Sequence, residues 1–412
     1  MVAKYIRLII FIWIALIASR VLAQGLFSFQ EALKLTYQNN PELQAQIQQA
    51  EKARGQFIQD GLWLNPSLML ETENIGGSGS FKGFESAETT LSLNQPIPLG
   101  GKRDWLQKAS GARYEFMRTA ILRKKAELYM AVGEAYVNAY YASQWHEVTK
   151  KLVRLNEDIV NDIKRRKKAG VSAELDLRLA LVQLGEARIQ RSRAHRDIKK
   201  QYALLARMTG QDTLSIKALQ DKGLPHNGIT QQSINNTLNK SVFLREKTAE
   251  LSAQRVAITS VKKDVWPTIQ LQLGGRHFSD DNENALVASV NSVMPVYDRN
   301  QGKILSAEAA YTETMQNLRA TKLWLKQQLT AAWLDLQQNN EESNQVKNEL
   351  LPNAQKASSL AIQGYQKGLY SYVELFNAMR LLFNEERHYQ QAHAKRDIAM
   401  IKITGLLSQG VS

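Results

Sequence analysis

Residues 174–198, ELDLRLALVQLGEARIQRSRAHRDI, recur in altered form as residues 374–398, ELFNAMRLLFNEERHYQQAHAKRDI. The two stretches align without a gap at an offset of two hundred residues. Their identical positions include Glu174/Glu374, Leu175/Leu375, Gln190/Gln390, Ala194/Ala394 and the triplet Arg196-Asp197-Ile198, which returns at 396–398. Solenoid repeats have periods of roughly 20–50 residues, so this repeat is too long to be one of them. It indicates duplication of a whole half of the protein.

The duplication divides the chain into a first repeat, residues 24–225, and a second repeat, residues 226–412. Each repeat is predicted to contain a helix, a β-hairpin and a hairpin of long helices, so the fold class is mainly α with a β part. The first repeat has a helix from Ser28 to about Asp60, strands within 67–97, helices within 102–209 and a polar connector. The second has a helix over about 231–263, strands within 267–295 and helices within 301–407, bent near Pro352.

Local signals mark the ends of the helices. Ser28 and Glu31 have the spacing of a capping box, and Ser172, which follows the break at Gly170, is predicted to cap the second long helix. The proline-free stretch 102–168 would form a helix about 100 Å long at 1.5 Å per residue. A helix of this length needs a coiled-coil partner, and the antiparallel helix that follows Gly170 supplies it.

The four strands alternate apolar and polar residues over about ten positions, as the strands of outer-membrane barrels do. Pro96 and Pro98 are predicted to end the second strand, and Pro295 the fourth, because proline cannot donate to the ladder. A soluble sheet packed on the helices is the alternative. In lipid, four strands with free edges need partners. Three chains would supply twelve strands and an open lumen, whereas the interior of an eight-stranded barrel from two chains would be filled by side chains.

Residues 1–23 have the pattern of a secretory signal peptide. Lys4 and Arg7 precede an apolar run at 8–18, and Ala23 provides the small residue before a cleavage site. An N-terminal anchor helix is the alternative, although the run is shorter than the about 20 residues of a spanning helix. The chain has no cysteine, so we expect no disulfides, no thiolate metal ligands and no lipidated N-terminal cysteine.

The chain has a formal net charge of +14, but its Lys and Arg residues are mixed with Glu and Asp in helical segments. This pattern favours solvated helix faces over nucleic-acid binding. Histidine and methionine residues are scattered, and no nucleophile–base arrangement stands out. Gly100-Gly101-Lys102 lacks the remaining residues of a phosphate loop. We therefore predict no metal site, no cofactor, no nucleic-acid partner and no enzymatic activity.

Several motifs in combination resemble the TolC family of outer-membrane efflux ducts, and in particular its heavy-metal, CzcC/CusC-like branch. They are Asn40-Pro41-Glu42-Leu43, Asn65-Pro66, Gln95-Pro96-Ile97-Pro98-Leu99-Gly100-Gly101-Lys102-Arg103, Gly274-Gly275-Arg276 and Pro295-Val296-Tyr297-Asp298-Arg299-Asn300-Gln301-Gly302. The resemblance implies a homotrimer with a shared twelve-stranded barrel in the outer membrane and an α-barrel in the periplasm. It also implies two partners, a periplasmic adaptor and an inner-membrane pump of the resistance-nodulation-division (RND) class.

The same resemblance implies roles for particular residues. The adaptor would dock at the two helix turns, and the turns between strands and helices would lie at the membrane boundary. The tip candidates are Arg166, Gly170 and Ser172 in the first repeat and Gly368 and Ser371 in the second; the boundary candidates are Pro98, Gly101, Lys102, Pro295, Gly302 and Lys303. The alternative is that the tip glycines only cap the preceding helices, a role that they have whether or not an adaptor docks there.

The resemblance further implies an acidic ring near the second tip, where the pore would narrow. Glu374 occupies the first acidic position, and Asn377 replaces the second carboxylate. Three copies of Glu374 would favour cations, although a solvated helix glutamate is the alternative. The offset of 198 between the tip glycines, against 200 between the glutamates, predicts two extra residues at the second tip. A heavy-metal duct is thus the favoured hypothesis; a duct for drugs and a periplasmic coiled-coil scaffold are its competitors.

Overall fold

The computed structural model describes residues 27–213, 216, 218–220 and 230–408. The expected signal peptide and part of the connector lie outside the described residues. The α-helices are α1 (Phe29–Asn39), α2 (Pro41–Asp60), α3 (Lys102–Lys168), α4 (Glu174–Met208), α5 (Gln231–Thr237), α6 (Val242–Lys263), α7 (Gln301–Gln345), α8 (Leu351–Gln366) and α9 (Tyr372–Leu406). The strands are β1 (Ser67–Glu73), β2 (Glu88–Pro98), β3 (Thr268–Phe278) and β4 (Glu283–Ser292).

The chain forms two compact units, and each of them takes segments from both predicted repeats. The helical unit comprises the described parts of residues 1–44, 124–242 and 325–412. The sheet unit comprises residues 45–123 and 243–324. The long helices α3 and α7 contribute to both units, because 67 and 45 residues respectively fold without interruption. The predicted bounds of α3 are confirmed at both ends.

The first helix of each repeat is broken, which the sequence analysis did not predict. Pro41 disfavours helical backbone at the residue before it, so Asn40 is extended and caps α2 through its Oδ1, which accepts from the N–H groups of Glu42 and Leu43 at 3.0 and 3.2 Å. In the second repeat the break falls at Ser241, after a 3₁₀ turn. The expected single helices over 28–60 and 231–263 are therefore wrong. The predicted capping box of Ser28 with Glu31 is confirmed.

Both breaks tie the start of a repeat to its end. The Asn40 amide donates to the carbonyl of Met208 at 2.9 Å, and the Ser241 hydroxyl donates to the carbonyl of Leu406 at 2.8 Å. Met208 and Leu406 are the last residues of α4 and α9, where helix carbonyls lack intrahelical donors. Asn40 and Ser241 are buried, so these two bonds satisfy groups that water does not reach.

We expect Asn40→Ala to destabilise the protein by about 2 kcal/mol and Ser241→Ala by about 1 kcal/mol, because the asparagine loses a cap and a tertiary bond while the serine loses one hydrogen bond. Thermal unfolding of the detergent-solubilised protein measures the difference. Gln38→Ala is the control, since Gln38 is exposed and lies two residues before Asn40. Equal melting temperatures for all three variants would contradict the assigned roles.

The two helix turns have the same length. Gly170 and Gly368 have positive φ angles of 76° and 75°, and each is followed after four residues by the next helix, α4 or α9. Both following helices have 35 residues. The structural offset is therefore 198 at both ends of these helices. The two extra residues between Gly368 and Glu374 lie in the first turn of α9 and do not lengthen the turn between helices. The sequence match at an offset of 200 is therefore displaced by about 200° around the helix.

The predicted N-cap at Ser172 is also wrong. The cap position of α4 is Ala173, whose N–H donates to the Asp176 carboxylate at 3.4 Å, and Ser172 lies one residue before it. The equivalent position in the second turn is Ser371, which does cap α9. A serine one residue early is too far from the free N–H groups of the first turn to accept from them.

The four strands form one antiparallel sheet in the order β1-β2-β3-β4. β2 ends at Pro98, as predicted, but Pro96 does not end it, because the strand continues past Pro96 in register with β3. Pairing of β2 with β1 stops at Asn94. Beyond Asn94, β2 has no partner strand on that edge, and a proline is tolerated there because its missing N–H has no strand to donate to. β4 ends at Ser292, before Pro295.

The register gives the sheet two different faces. One face carries Leu68 and Leu70 of β1, Leu91 and Leu93 of β2, Leu271 and Leu273 of β3, and Leu286 and Val290 of β4, all of them exposed. The other face carries hydroxyl, amide and charged side chains. Gln272 on this face donates to Ser92 at 2.8 Å and accepts from Ser289 at 2.9 Å, so hydrogen bonds join β2, β3 and β4.

The predicted bend near Pro352 is confirmed. A π-helical turn at Val346–Leu350 separates α7 from α8, and Pro352 is the second residue of α8. Proline lacks the N–H that would bond four residues back and its ring clashes with that carbonyl. The wider π turn accommodates this mismatch while the helical path continues.

Candidate functional site

The helix turns meet through Arg166, the last arginine of α3. Its guanidinium donates to the carbonyls of Tyr365 at 2.5 Å and Gln366 at 3.1 Å, and it lies 4.9 Å from the ring centroid of Tyr365. Both carbonyls lie at the C-terminal end of α8, where no further helical turn supplies donors, although that of Tyr365 also accepts from the Gly368 N–H at 3.0 Å. Arg166, predicted as an adaptor contact, therefore holds the first turn to the second within this chain.

An apolar cluster supports the turns. Its buried members from both helical hairpins include Val160, Ile163, Ala180, Ala361, Tyr365, Tyr372 and Leu375. Burial raises the pKa of Tyr372 to about 12, so its hydroxyl stays neutral and adds no charge to this cluster. A Cβ at Gly364 would overlap the ring of Tyr370, which explains why the position equivalent to Arg166 is glycine.

Glu374 has a defined structural role at the second turn. Its carboxylate accepts from the Ser371 N–H at 2.7 Å and from the Ser371 hydroxyl at 2.9 Å, which completes a capping box with the bond from its own N–H to Ser371. The hydrogen bonds from Ser371 hold the pKa of Glu374 below its usual range. Asn377 lies one turn further on, also exposed.

The two turns differ in charge rather than in length. At the first turn Glu174 forms ion pairs with Lys167 and with Arg178, the latter at 2.8 Å. Among the described residues Glu374 has no cationic partner. The second turn therefore presents an ionised and unpaired carboxylate. Gly170, Gly368 and Ser371 are exposed beside these groups, and Ser172 is half-buried.

Two of the predicted boundary residues, Lys102 and Lys303, meet at a carboxylate that the sequence analysis missed. Asp264 accepts from Lys102 at 2.8 Å and from the Asn300 amide at 3.1 Å, and it lies 3.7 Å from Lys303. The bond from Lys102 is the main cause that lowers the pKa of Asp264. Asp264 follows Lys262-Lys263 at the end of α6. In the sequence these adjacent lysines are its nearest cations, so nothing local indicates that Lys102 and Lys303 are its partners.

Gly101 and Gly302, both named as boundary candidates, do not occupy equivalent places in the two repeats. Gly101 lies in the β2–α3 turn with φ 70°, whereas Gly302 lies in the first turn of α7, and Asn300 with φ 58° takes the left-handed position of the second repeat. Pro98 is the last residue of β2 and Pro295 follows β4. Lys102 and Lys303 are thus the boundary residues that the fold does bring together.

We expect Asp264→Asn to cost about 1 kcal/mol, a modest value because the Asp264 side chain is 40% exposed. Since the folded-state pKa is lowered, the stabilisation is present above the ordinary pKa of 3.8 and is lost as the pH falls through the folded-state value. Thermal unfolding at a series of pH values should therefore show the difference from wild type closing below pH 3.8. Asp280→Asn, in the exposed β3–β4 turn, is the control. A difference that stays constant down to low pH would contradict the assignment.

Aromatic side chains surround the same junction. The ring of Trp266 covers Gly100, where a Cβ would overlap it, and Arg103 lies 4.1 Å from the ring centroid of Trp63. Trp63, Trp266 and Tyr297 are nevertheless largely exposed. Exposed tryptophan and tyrosine at one end of an apolar sheet face are typical of the girdle of a membrane barrel.

The opposite end of the polar face carries a charged cluster. Arg276 of β3 forms ion pairs with Glu88 at 2.5 Å and Glu73 at 3.0 Å. Within the described residues, no three His, Cys, Asp or Glu side chains are placed to hold a metal ion together. No helix in the described part of the chain is long and apolar enough to cross a membrane.

The profile of the family described as "Outer membrane efflux protein" matches residues 32–211 and 233–409. The chain belongs to this family. The gap between the two matches falls in the connector predicted between the repeats. Members are efflux channels of the outer membrane, not enzymes.

Two curated relatives share this family's sequence pattern. The chain is 22% identical over 369 residues to the cobalt-zinc-cadmium resistance protein CzcC of Cupriavidus metallidurans. This alignment covers 89% of this chain and 86% of CzcC. It is 24% identical over 298 residues to the nickel-cobalt-cadmium resistance protein NccC of Alcaligenes xylosoxydans xylosoxydans, covering 69% and 64%. The resemblance to the heavy-metal branch is confirmed.

A solved structure shares the fold. The crystal structure of CusC, a protein that forms a transmembrane channel, superposes with a TM-score of 0.75 at 19% identity and covers 92% of this chain and 91% of that one. The mainly helical fold with one four-stranded antiparallel sheet is thereby confirmed as that of an outer membrane efflux protein.

Proposed function

We propose that three copies of this chain form the outer-membrane exit duct of a tripartite system that exports heavy-metal cations. The observation that supports it best is the sheet, which has an exposed apolar face and a hydrogen-bonded polar face. Its edge strands β1 and β4 each have an outer edge that pairs with no other strand of the described residues. Pairing β1 of one chain with β4 of the next closes twelve strands around a polar lumen. Closure removes the edges that lipid would not tolerate.

In this proposal the helices form a periplasmic α-barrel, and the two helix turns face the periplasmic adaptor, which connects the duct to an inner-membrane RND pump. Export by the signal peptide at residues 1–23 brings the chain to the outer membrane. The aromatic residues and lysines at the strand-to-helix junction mark the membrane boundary. The proposed adaptor contacts are the exposed Gly170, Gly368 and Ser371, together with the half-buried Ser172 and with Arg166.

The proposed cargo rests on two observations. CzcC and NccC are named for resistance to divalent metal cations, and the exposed Glu374 carboxylate is kept ionised by Ser371 without a neutralising cation. Three such carboxylates near a pore entrance would focus negative potential and favour cations over anions. The duct conducts the metal without holding it in a dedicated site.

Single-channel recording of Glu374→Gln tests the pore role separately from the capping role. Glutamine also completes a capping box, so we expect an unchanged melting temperature together with weaker cation selectivity and weaker block by divalent ions. Glu174→Gln is the matched control, because Glu174 is an exposed tip glutamate already neutralised by Lys167 and Arg178. Wild-type selectivity in Glu374→Gln would remove this residue from the pore.

The cargo itself is tested by deleting the gene in its own host and measuring growth with zinc, cobalt, cadmium, nickel, copper or silver salts. Dyes and antibiotics are tested in parallel. We expect increased sensitivity to one or more divalent cations, restored by the wild-type gene. Sensitivity to antibiotics alone would instead identify a duct for organic solutes.

A further inference from the structure

A basic cavity of about 620 Å³ lies between α3, α4 and α9 in the helical unit. Its lining includes four cationic side chains, Arg193, Arg196 and Lys200 of α4 and Arg387 of α9, against a single carboxylate, Asp197. The cavity is open to solvent. Its formal charge of +3 in one recess distinguishes it from the mixed surface of the helices.

The four cations have no carboxylate partner within ion-pair distance among the described residues. Arg196 donates to the hydroxyl of Ser192 at 2.8 Å, and Arg387 lies 5.6 Å from the ring centroid of Trp145. Like charges gathered in one recess repel each other. A bound anion would remove this repulsion.

The duplicated motif supplies much of the cavity. Gln190 and Gln390 both line it, as do Ala194 and Ala394, so the residues that recur between the repeats meet across one recess. The small alanines leave space and the amides add hydrogen-bond donors. The efflux function proposed above makes no use of this motif.

The recurring Arg-Asp pairs, Arg196-Asp197 and Arg396-Asp397, differ between the two repeats in their burial and hydrogen bonds. In the second repeat Asp397 is buried and bonded to Arg396 at 2.7 Å and to the Tyr141 hydroxyl at 2.8 Å. In the first repeat Arg196 and Asp197 are exposed and form no such pair. Arg396 is thus engaged in an ion pair with Asp397, whereas Arg196 forms no such pair and can bind an added anion.

We propose that this cavity binds a small polyvalent oxyanion, of the phosphate or polycarboxylate class. Arginine guanidinium groups present paired donors that match phosphate and carboxylate oxygens, and three arginines, a lysine and four glutamines line this recess. The cavity is several times larger than pyrophosphate or citrate, so either anion can enter it together with hydrating water. The proposal does not depend on the cargo of the duct.

Isothermal titration calorimetry on the full-length protein in detergent tests this binding, with pyrophosphate and citrate as separate probes at 0.15 M sodium chloride. We expect saturable binding of at least one probe at one site per chain. Arg193→Gln and Arg387→Gln should each weaken it about tenfold, the effect of losing one charge-assisted hydrogen bond. The double variant should abolish measurable binding.

Lys199→Gln is the matched control, because Lys199 is an exposed cation of α4 with the same charge that does not line the cavity. Helix content and melting temperature establish that each variant is folded. Absence of saturable binding to wild type overturns the proposal. So does an equal loss in Lys199→Gln and Arg193→Gln, since that outcome reflects net charge rather than this site.

Discussion

Replacing Arg166 with alanine is expected to raise the resting conductance of the reconstituted channel. Arg166 makes two charge-assisted hydrogen bonds to the end of α8 and lies over the ring of Tyr365. Such bonds contribute about 1.5–3 kcal/mol each. Even a combined loss of about 2 kcal/mol would shift the balance between joined and separated turns by about thirtyfold. In the proposed duct the turns surround the periplasmic entrance, so separating them widens it.

Arg165→Ala provides the matched control for this experiment. Arg165 is the neighbouring residue, its side chain is 78% exposed, and its ion pair with Asp162 stays within α3. Arg166→Lys should give an intermediate conductance, because an ammonium keeps the charge but lacks the fork that reaches two carbonyls. If Arg166→Ala conducts like wild type, or like Arg165→Ala, the contact between turns does not limit the entrance.

Much of the fold was predictable because its elements are long and strongly patterned. The helix over 102–168 has no proline, and its observed bounds are the predicted ones. The alternation in the strands gave the correct apolar face, since a shift of one residue would have reversed every side chain. The irregularity near Pro352 was predictable because a proline disturbs the helix at its own position, whatever its distant neighbours are.

The features that the sequence did not predict depend on contacts between distant residues. The break at Ser241 accompanies a bond to the carbonyl of Leu406, 165 positions away, which no local pattern reveals. The break at Asn40 did have a local signal, Pro41, but its bond to Met208 had none. Asp264 was missed for the same reason, since its cations lie about 160 and 40 positions away in the chain.

Sequence identity also misled the comparison of the repeats. The match at an offset of 200 is strong, yet both helix turns and both helix ends follow an offset of 198. The identical residues therefore occupy different helix faces, and Gln190 and Gln390 come to line one cavity. The asymmetry of the turns lies in Glu374, which lacks the cations that neutralise Glu174.

Val290→Arg is expected to prevent assembly of the protein in the outer membrane. Val290 lies in β4 on the apolar face, opposite Leu271, and its side chain is 69% exposed. An arginine on the lipid face of a barrel costs about 2–4 kcal/mol near the bilayer midplane. In the proposed trimer this cost arises three times in one barrel. We expect little protein in outer-membrane fractions and loss of the heat-sensitive oligomer on gels.

Ser289→Arg is the control that makes this result specific. Ser289 is the adjacent residue and belongs to the opposite face, where it donates to Gln272. The same arginine there would face the water-filled lumen of the proposed barrel, so its insertion should be near wild type and its effect confined to conductance. Equal yields of the two variants would contradict a lipid-facing sheet and would favour a soluble scaffold. A defect only in Val290→Arg indicates that the exposed apolar face contacts lipid, because the same arginine is tolerated one residue away on the opposite face, even though Ser289→Arg also removes the bond to Gln272.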